Sequence, residues 1–339
     1  MSDVRTAAPS HHRVLAGLLL GALAGIALGL VLAPPVVVAG VADAGAVVRY
    51  GLPVTRVLLD VSATVVVGLS ILPKLLGFDR PTHTEPVMRL ARPAAVIAAA
   101  VWVAAALTAI VLQAAELRPG SNVSTANAVD YIANVGAGKG LLFSAACAFV
   151  YLVIGVMAVR SGESVPAELR ILVSMFGLLP IPVTGHASNW KYHDYSMVSM
   201  ELHVLGAAAW TGGLGALMAL VAYRKGLLAV ALPKFSKVAT VALVVVAVTG
   251  LFNGLLELIL NPVVPFPQSL VTTGYGLLFL GKAVCAGLIA LLGAHIRWRL
   301  LPKISQHKVT AIVHWAVLEV TIMGVAFGLA VVLSRAPVS

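Results

Sequence analysis

Three histidines and two methionines fall within one short stretch of the chain. The histidines are His186, His193 and His203, and Met197 and Met200 lie between the last two. Imidazole nitrogen and thioether sulfur are soft ligands, which favour copper over hard cations such as calcium. The pattern predicts a copper site, for Cu(I), formed by these five residues. The alternative is a polar loop whose histidines are ordinary surface residues.

Composition places this stretch in a membrane protein. Hydrophobic residues make up 60% of the 339 residues and charged residues only 11%. We therefore expect an all-α polytopic bundle in a cell membrane. A membrane-spanning helix needs about 20 apolar residues, and nine runs are long enough. They lie near 14–34, 50–72, 93–116, 139–160, 169–187, 197–222, 238–260, 272–296 and 310–334.

The net charge of +10 is explained by the same topology. Lys and Arg concentrate in the loops on one side of the predicted bundle, which the positive-inside rule assigns to the cytoplasm. This places the N-terminus in the cytoplasm, and His186 and His193 outside the cell. Such a distribution calls for no nucleic-acid partner.

Sequence signatures of ATP-driven pumps and hydrolases do not occur in the chain. It has no P-loop, no dinucleotide-binding fingerprint and no nucleophile elbow. We therefore expect a protein that is not an enzyme. Cys147 and Cys285 lie within apolar runs and are expected to be buried small hydrophobic residues.

Helical spacing groups several of the polar residues inside the predicted spans. Met197, Met200 and His203 share one face of the sixth predicted helix, with Glu201 on the opposite side. Two methionines alone would be read as core packing, but an unpaired imidazole in lipid needs a partner. In the fifth predicted helix, two prolines precede His186 and are expected to bend the chain so that this imidazole points back over the bundle.

The seventh predicted helix carries a polar stripe of Thr249, Asn253 and Glu257 at spacings of four. The stripe either lines a water-filled pathway for the metal or makes hydrogen bonds between helices. Outside the spans, Ser124 or Thr125 is expected to cap a short surface helix that ends near Gly136.

Charged residues inside a bilayer are costly and usually pair with one another. Arg56 and Asp60 lie four residues apart and are expected to pair on one helix face. Lys282 and Glu319 are expected to pair at mid-membrane, with Asp60 as the rival partner of Lys282. At the cytoplasmic ends of two further helices, His295 and His314 either form an inner exit site or lie at the headgroup level.

Several short motifs occur in a recognisable order near the C-terminus. The chain resembles the bacterial copper-resistance protein D (CopD) family over roughly 200–335, in four helices. The matching residues are His203, Trp210, Gly212-Gly213, Phe235-Ser236, Thr249-Gly250, Asn253, Tyr275-Gly276, Lys282, Arg297, Leu301-Pro302 and Glu319.

The resemblance is to members of actinobacterial type. These are often fused to a domain similar to the oxidase assembly protein CtaG, which we expect to be absent here. The resemblance implies two regions, an N-terminal membrane region over 1–190 and a CopD-like four-helix domain over 191–339.

The leading functional hypothesis is copper transport or delivery at the membrane, to which an outer copper-binding protein could supply the metal. One alternative is a b-type haem electron-transfer protein with His203 and His186, or His295 and His314, as axial ligands. The other is a structural assembly factor for a respiratory complex, which would need neither copper nor haem.

Overall fold

The structure is a computed structural model in which every regular element is helical. It describes residues 10–34, 44–79, 81–119, 124–184, 193–261, 263–306 and 311–336. The prediction of an all-α polytopic bundle is confirmed over these ranges.

Within the described ranges, eight helices are long and apolar enough to cross a membrane. They are α1 (Ser10–Leu32), α2 (Ala46–Leu76), α3 (Pro81–Leu117), α5 (Gly136–Ser161), α7 (His193–Leu220), α8 (Lys225–Ile259), α10 (Gly274–His295) and α12 (Ile312–Leu333). Four short helices complete the set, namely α4 (Thr125–Asn134), α6 (Ala167–Phe176), α9 (Ser269–Thr272) and α11 (Leu301–Ser305).

The short helix α4 begins where the sequence predicts. The Ser124 hydroxyl accepts a hydrogen bond from the backbone N–H of Asn127 at 3.2 Å, which caps the first turn. Tyr131 on this helix donates its hydroxyl to Gln113 of α3. Burial, together with the nearby Glu116 carboxylate, raises the pKa of Tyr131 to about 12.

The first and last long helices pack side by side in the same direction. Gly21 of α1 lies against Thr321 of α12, and Gly25 lies against Val325 and Gly328. A Cβ atom at Gly21 or Gly25 would overlap a backbone carbonyl of α12, so only glycine allows this approach. Because contacts advance together along both helices, α1 and α12 are parallel.

Successive passes through the bundle alternate in direction, so parallel first and last helices require an odd number of passes. The described ranges contain eight long helices, which leaves one further pass to identify. The additional pass lies at 167–184, near the predicted fifth span. Its beginning pairs with α2 through Glu168 and Lys74, and its end packs on Gly136 and Gly140 at the start of α5. The segment therefore runs the whole length of α5. We name the two ends of the bundle the Lys74 end and the His193 end.

This pass differs from the continuous helix predicted over 169–187. The α-helix ends at Phe176, and the backbone continues through a turn into a 3₁₀ segment, Ile181–Thr184. Pro180 and Pro182 have no N–H to donate, so an α-helix cannot be maintained here. The backbone instead forms tighter bonds, from Ile181 N–H to the Leu178 carbonyl and from Val183 N–H to the Pro180 carbonyl.

A second close contact between helices joins α2 to α7. Gly68 of α2 and Gly212 of α7 lie backbone to backbone, and a Cβ on Gly212 would overlap the Thr64 carbonyl. The sequence indicates small residues at this position of α7, and the structure shows that they permit the contact. The contact fixes α7 beside α2 at the centre of the molecule.

Candidate functional site

A cavity of about 420 Å³ lies among α2, α7, α8, α10 and α12. It reaches from Ile181 and Ser334, near the His193 end, to Trp210 and Met323 deeper in the bundle. Its polar lining includes Arg56, Asp60, His203, Asn253 and Lys282, while most of the remaining wall is apolar. Cavities with a few convergent polar groups are the usual form of a small-ligand site.

His203 lines this cavity with its ring held from one side by α8. Its Nδ1 atom lies 3.1 Å from the Thr249 hydroxyl oxygen. That hydroxyl donates its own hydrogen to the Val245 carbonyl at 2.5 Å, so its oxygen is left to accept from Nδ1. In the tautomer that donates from Nδ1, the Nε2 atom carries no proton and has a lone pair available for a metal ion.

Met200 precedes His203 by three residues and lines the same cavity. A thioether and an imidazole are thus brought to one wall, as helical spacing predicts. Met197 is half-buried and does not line the cavity. His193 is the first residue of α7, and His186 lies outside the described residues.

Two serines that sequence analysis missed form hydrogen bonds across the interface between α7 and α8. The Ser196 hydroxyl donates to the Asn253 Oδ1 atom at 2.9 Å, and Asn253 Nδ2 donates to the Ser199 hydroxyl at 2.8 Å. Ser196, Ser199 and His203 follow helical spacing, which was the available signal.

The polar stripe on α8 therefore makes hydrogen bonds between helices, one of the two alternatives posed. Thr249 and Asn253 both bond to α7, and Asn253 also lines the cavity. Glu257 lies one turn beyond Asn253 along α8, towards the His193 end.

Arg56 and Asp60 form an ion pair at 3.1 Å on the cavity wall of α2. The Arg56 guanidinium also donates to the carbonyl of Ile181 at 3.4 Å. One arginine thus joins the cavity wall to the pass at 167–184, which we call the broken pass and which precedes His186 and His193 in the chain.

The structure does not bring Lys282 and Glu319 together. Glu319 lies 3.6 Å from the Cβ position of Gly293 on α10, and its carboxyl is a hydrogen-bond partner of Trp210. Gly293 lies three turns beyond Lys282, about 16 Å along the helix axis. The helical path of α10 continues through Ile296–Leu300 and α11 to Ser305, so it is longer than the predicted span 272–296, and Lys282 and Glu319 lie at different levels along it.

The two histidines at the Lys74 end pack on one aromatic ring. The rings of His295 and Trp315 have centroids 4.6 Å apart, and those of His314 and Trp315 are 6.1 Å apart. Among the described residues, no group of three or more His, Cys, Asp or Glu side chains is placed to hold a metal ion. Cys285 is buried and Cys147 half-buried, neither in a disulfide.

Two family comparisons cover most of the chain. The N-terminal domain of copper resistance protein D-like proteins matches residues 43–194, and copper resistance protein D matches residues 229–333. The chain belongs to the CopD family. It is a copper-resistance membrane protein with multiple spanning helices, embedded in the bilayer, from a family that is generally not enzymatic. No curated protein and no solved structure was found to match it.

The cavity of this CopD protein draws on both matched regions. Arg56 and Asp60 come from the first, and Lys282 and Met323 come from the second. Most of α7, which supplies Met200, lies between the two matches. The cavity is therefore an interface between the two regions and not a feature of either alone.

Proposed function

We propose that this protein transports or delivers copper, with Cu(I) as the cargo and the cavity as part of its path. His203 Nε2 and the Met200 sulfur are the proposed ligands inside the cavity. His186, His193 and Met197 are proposed as the capture group that precedes them, on the outer side of the membrane. The division into regions 1–190 and 191–339 is part of the same proposal.

One observation carries this proposal, namely the orientation of the His203 ring. Thr249 holds Nδ1 by a hydrogen bond, which leaves Nε2 as the unprotonated nitrogen. Such fixing of the second ring nitrogen is the usual support for a metal-ligating imidazole. Met200 on the same wall adds the soft sulfur ligand that favours Cu(I) over zinc or magnesium.

The pathway role proposed for the α8 stripe is indirect. Thr249 orients the histidine, and Asn253 holds α7 and α8 in register through both serines. Glu257 lies further towards the His193 end, where a carboxylate attracts incoming cations.

Copper titration of purified variants tests the proposal. His203→Ala and Met200→Leu should each weaken Cu(I) binding at least about tenfold, because each removes one ligand. The measurement is competition against a calibrated Cu(I) chelator under anaerobic conditions in a neutral detergent.

Matched controls lie outside the cavity. Met157→Leu changes an exposed methionine of α5, and His83→Ala changes an exposed histidine at the start of α3. Both should bind Cu(I) like the wild type. Equal copper affinity in His203→Ala and His83→Ala, with both proteins folded, would remove His203 from the site.

A further inference from the structure

The charges on the cavity wall do not balance. Three side chains with formal charge line it, namely Arg56, Asp60 and Lys282. Arg56 and Asp60 neutralise each other through hydrogen bonds of 3.1 and 3.2 Å. The Lys282 ammonium remains as one uncompensated positive charge, within electrostatic range of His203.

Among the lining residues, no other side chain supplies a negative charge, and the Glu257 carboxylate of α8 acts on Tyr275, which lies about two turns from Lys282 along α10. Asp60 is the one carboxylate of the lining, and it is already bonded to Arg56. From α8 the wall receives apolar groups and Asn253, and from α12 it receives Met323, Ser334 and apolar groups. Glu319 of α12 lies beside Gly293, which is three turns from Lys282 along α10. Lys282 itself makes no ion pair or hydrogen bond with any residue that the structure describes.

A lone ammonium inside a bilayer is expensive unless a counter-charge accompanies it. The proposed cargo makes the imbalance worse, because Cu(I) at His203 adds a second positive charge beside the first. An anion that enters beside the lysine lowers the repulsion between the two cations.

We propose that the cavity contains an anion site at Lys282, which takes a small monovalent anion of the halide class. Its role as the counter-charge for Cu(I) rests on the proposed function, but anion binding itself does not require copper. With the anion bound, the cavity without copper is neutral, and with Cu(I) also bound it carries one positive charge where it would otherwise carry two.

The chemistry of the wall favours a halide over a carboxylate. A planar carboxylate is best held by the forked donors of an arginine, and Arg56 is committed to Asp60 and the Ile181 carbonyl. Lysine offers a compact point charge, which suits a spherical anion. Chloride and bromide are in addition ions that Cu(I) accepts as ligands, and bromide is the softer of the two.

The anion site is tested first without copper. Chloride-35 nuclear magnetic resonance of the purified protein, in neutral detergent at constant ionic strength, should show line broadening that saturates with chloride. Lys282→Met should lose this saturable broadening, and Lys282→Arg should retain it because the charge remains. Lys225→Met, which removes an exposed lysine at the start of α8, is the control and should behave as the wild type.

The outcomes separate this inference from the proposed function. Saturable broadening that depends on Lys282 supports the anion site even if His203→Ala leaves copper binding unchanged. Wild-type protein that binds Cu(I) but shows no saturable broadening overturns the anion site and leaves the copper proposal standing. If Lys282→Met does not fold, the absence of saturable broadening in the wild type still overturns the anion site.

A copper measurement then connects the two ions. Replacing bromide by methanesulfonate, at fixed free Cu(I) set by the competing chelator, should lower wild-type Cu(I) affinity about tenfold. The affinity of Lys282→Met should not respond to the anion. An equal response in both proteins would show that the halide acts on copper in solution and would contradict a site at Lys282.

Discussion

At the scale of single residues, the site depends on which nitrogen of His203 carries the proton. A backbone carbonyl decides this through Thr249, since the hydroxyl donates to Val245 and can only accept from the ring. The ring is therefore oriented by a residue of a neighbouring helix and not by one of its own.

Removal of the Thr249 hydroxyl should weaken copper binding without removing a ligand. Thr249→Val keeps the side-chain volume but releases Nδ1, so we expect about a 10-fold loss of Cu(I) affinity. Chelator competition is again the measurement. Thr272→Val is the matched control, because Thr272 also bonds the carbonyl four residues back but contacts no histidine. Equal effects of the two substitutions would contradict an orienting role for Thr249.

Residue spacing was sufficient to predict some of these contacts and not others. Met200 and His203 share a wall because a helix repeats every 3.6 residues, a property local to α7. The pairing of Ser196 and Ser199 with Asn253 depends on the register between two helices, which spacing within one helix does not contain. The expected Lys282–Glu319 pair failed for a similar reason, since which levels of two helices face each other depends on how the helices are placed against one another.

At the scale of elements, the broken pass shows how proline and glycine override an apolar pattern. Hydropathy alone predicts a continuous helix over 169–187, and the prolines predict a bend. The structure combines both, with the helix ending at Phe176 before a tightly turned segment. Gly177, at the break, packs against the Trp102 ring.

A methyl group at Gly177 should destabilise the protein. Glycine to alanine in a helix ordinarily stabilises by up to about 1 kcal/mol. At Gly177, however, the new Cβ would lie 2.7 Å from the Trp102 ring and 3.0 Å from Cys147. Overpacking costs roughly 1–3 kcal/mol, so a net loss is expected for Gly177→Ala.

Thermal unfolding in detergent measures this change, and Gly226→Ala is the control. A Cβ at Gly226 has no atom within 4 Å, so this variant should melt at or slightly above the wild-type temperature. An equal rise in the unfolding temperature of both variants would show that the Trp102 ring moves aside without a loss of stability.

At the scale of the whole molecule, the parallel packing of α1 and α12 determines the topology. It requires an odd number of passes, which the eight long helices and the broken pass supply together. The packing does not indicate which end of the bundle faces the cytoplasm. That assignment rests on the distribution of Lys and Arg among the loops.

Accessibility labelling should place the two ends of the bundle on opposite sides. In a Cys147→Ser, Cys285→Ser background, a cysteine replacing Ser124 should react with an impermeant maleimide added outside intact cells. A cysteine replacing Gly226 should react only after the membrane is permeabilised. Both positions are exposed, so burial does not confound the comparison. The reverse pattern would invert the orientation and place the proposed capture group in the cytoplasm.

The pairing of α1 with α12 also has a consequence for the order of synthesis. The ribosome completes α1 well before α12, and at about 5–20 residues per second the two are separated by roughly 15–60 s. Throughout that interval the glycine-containing face of α1 lies in the bilayer without its contact to α12. A chain whose translation stopped before Ile312 would lack α12. Its first helix would then expose the unpaired glycine face to the proteases that remove misassembled membrane proteins, even if the other helices had packed correctly.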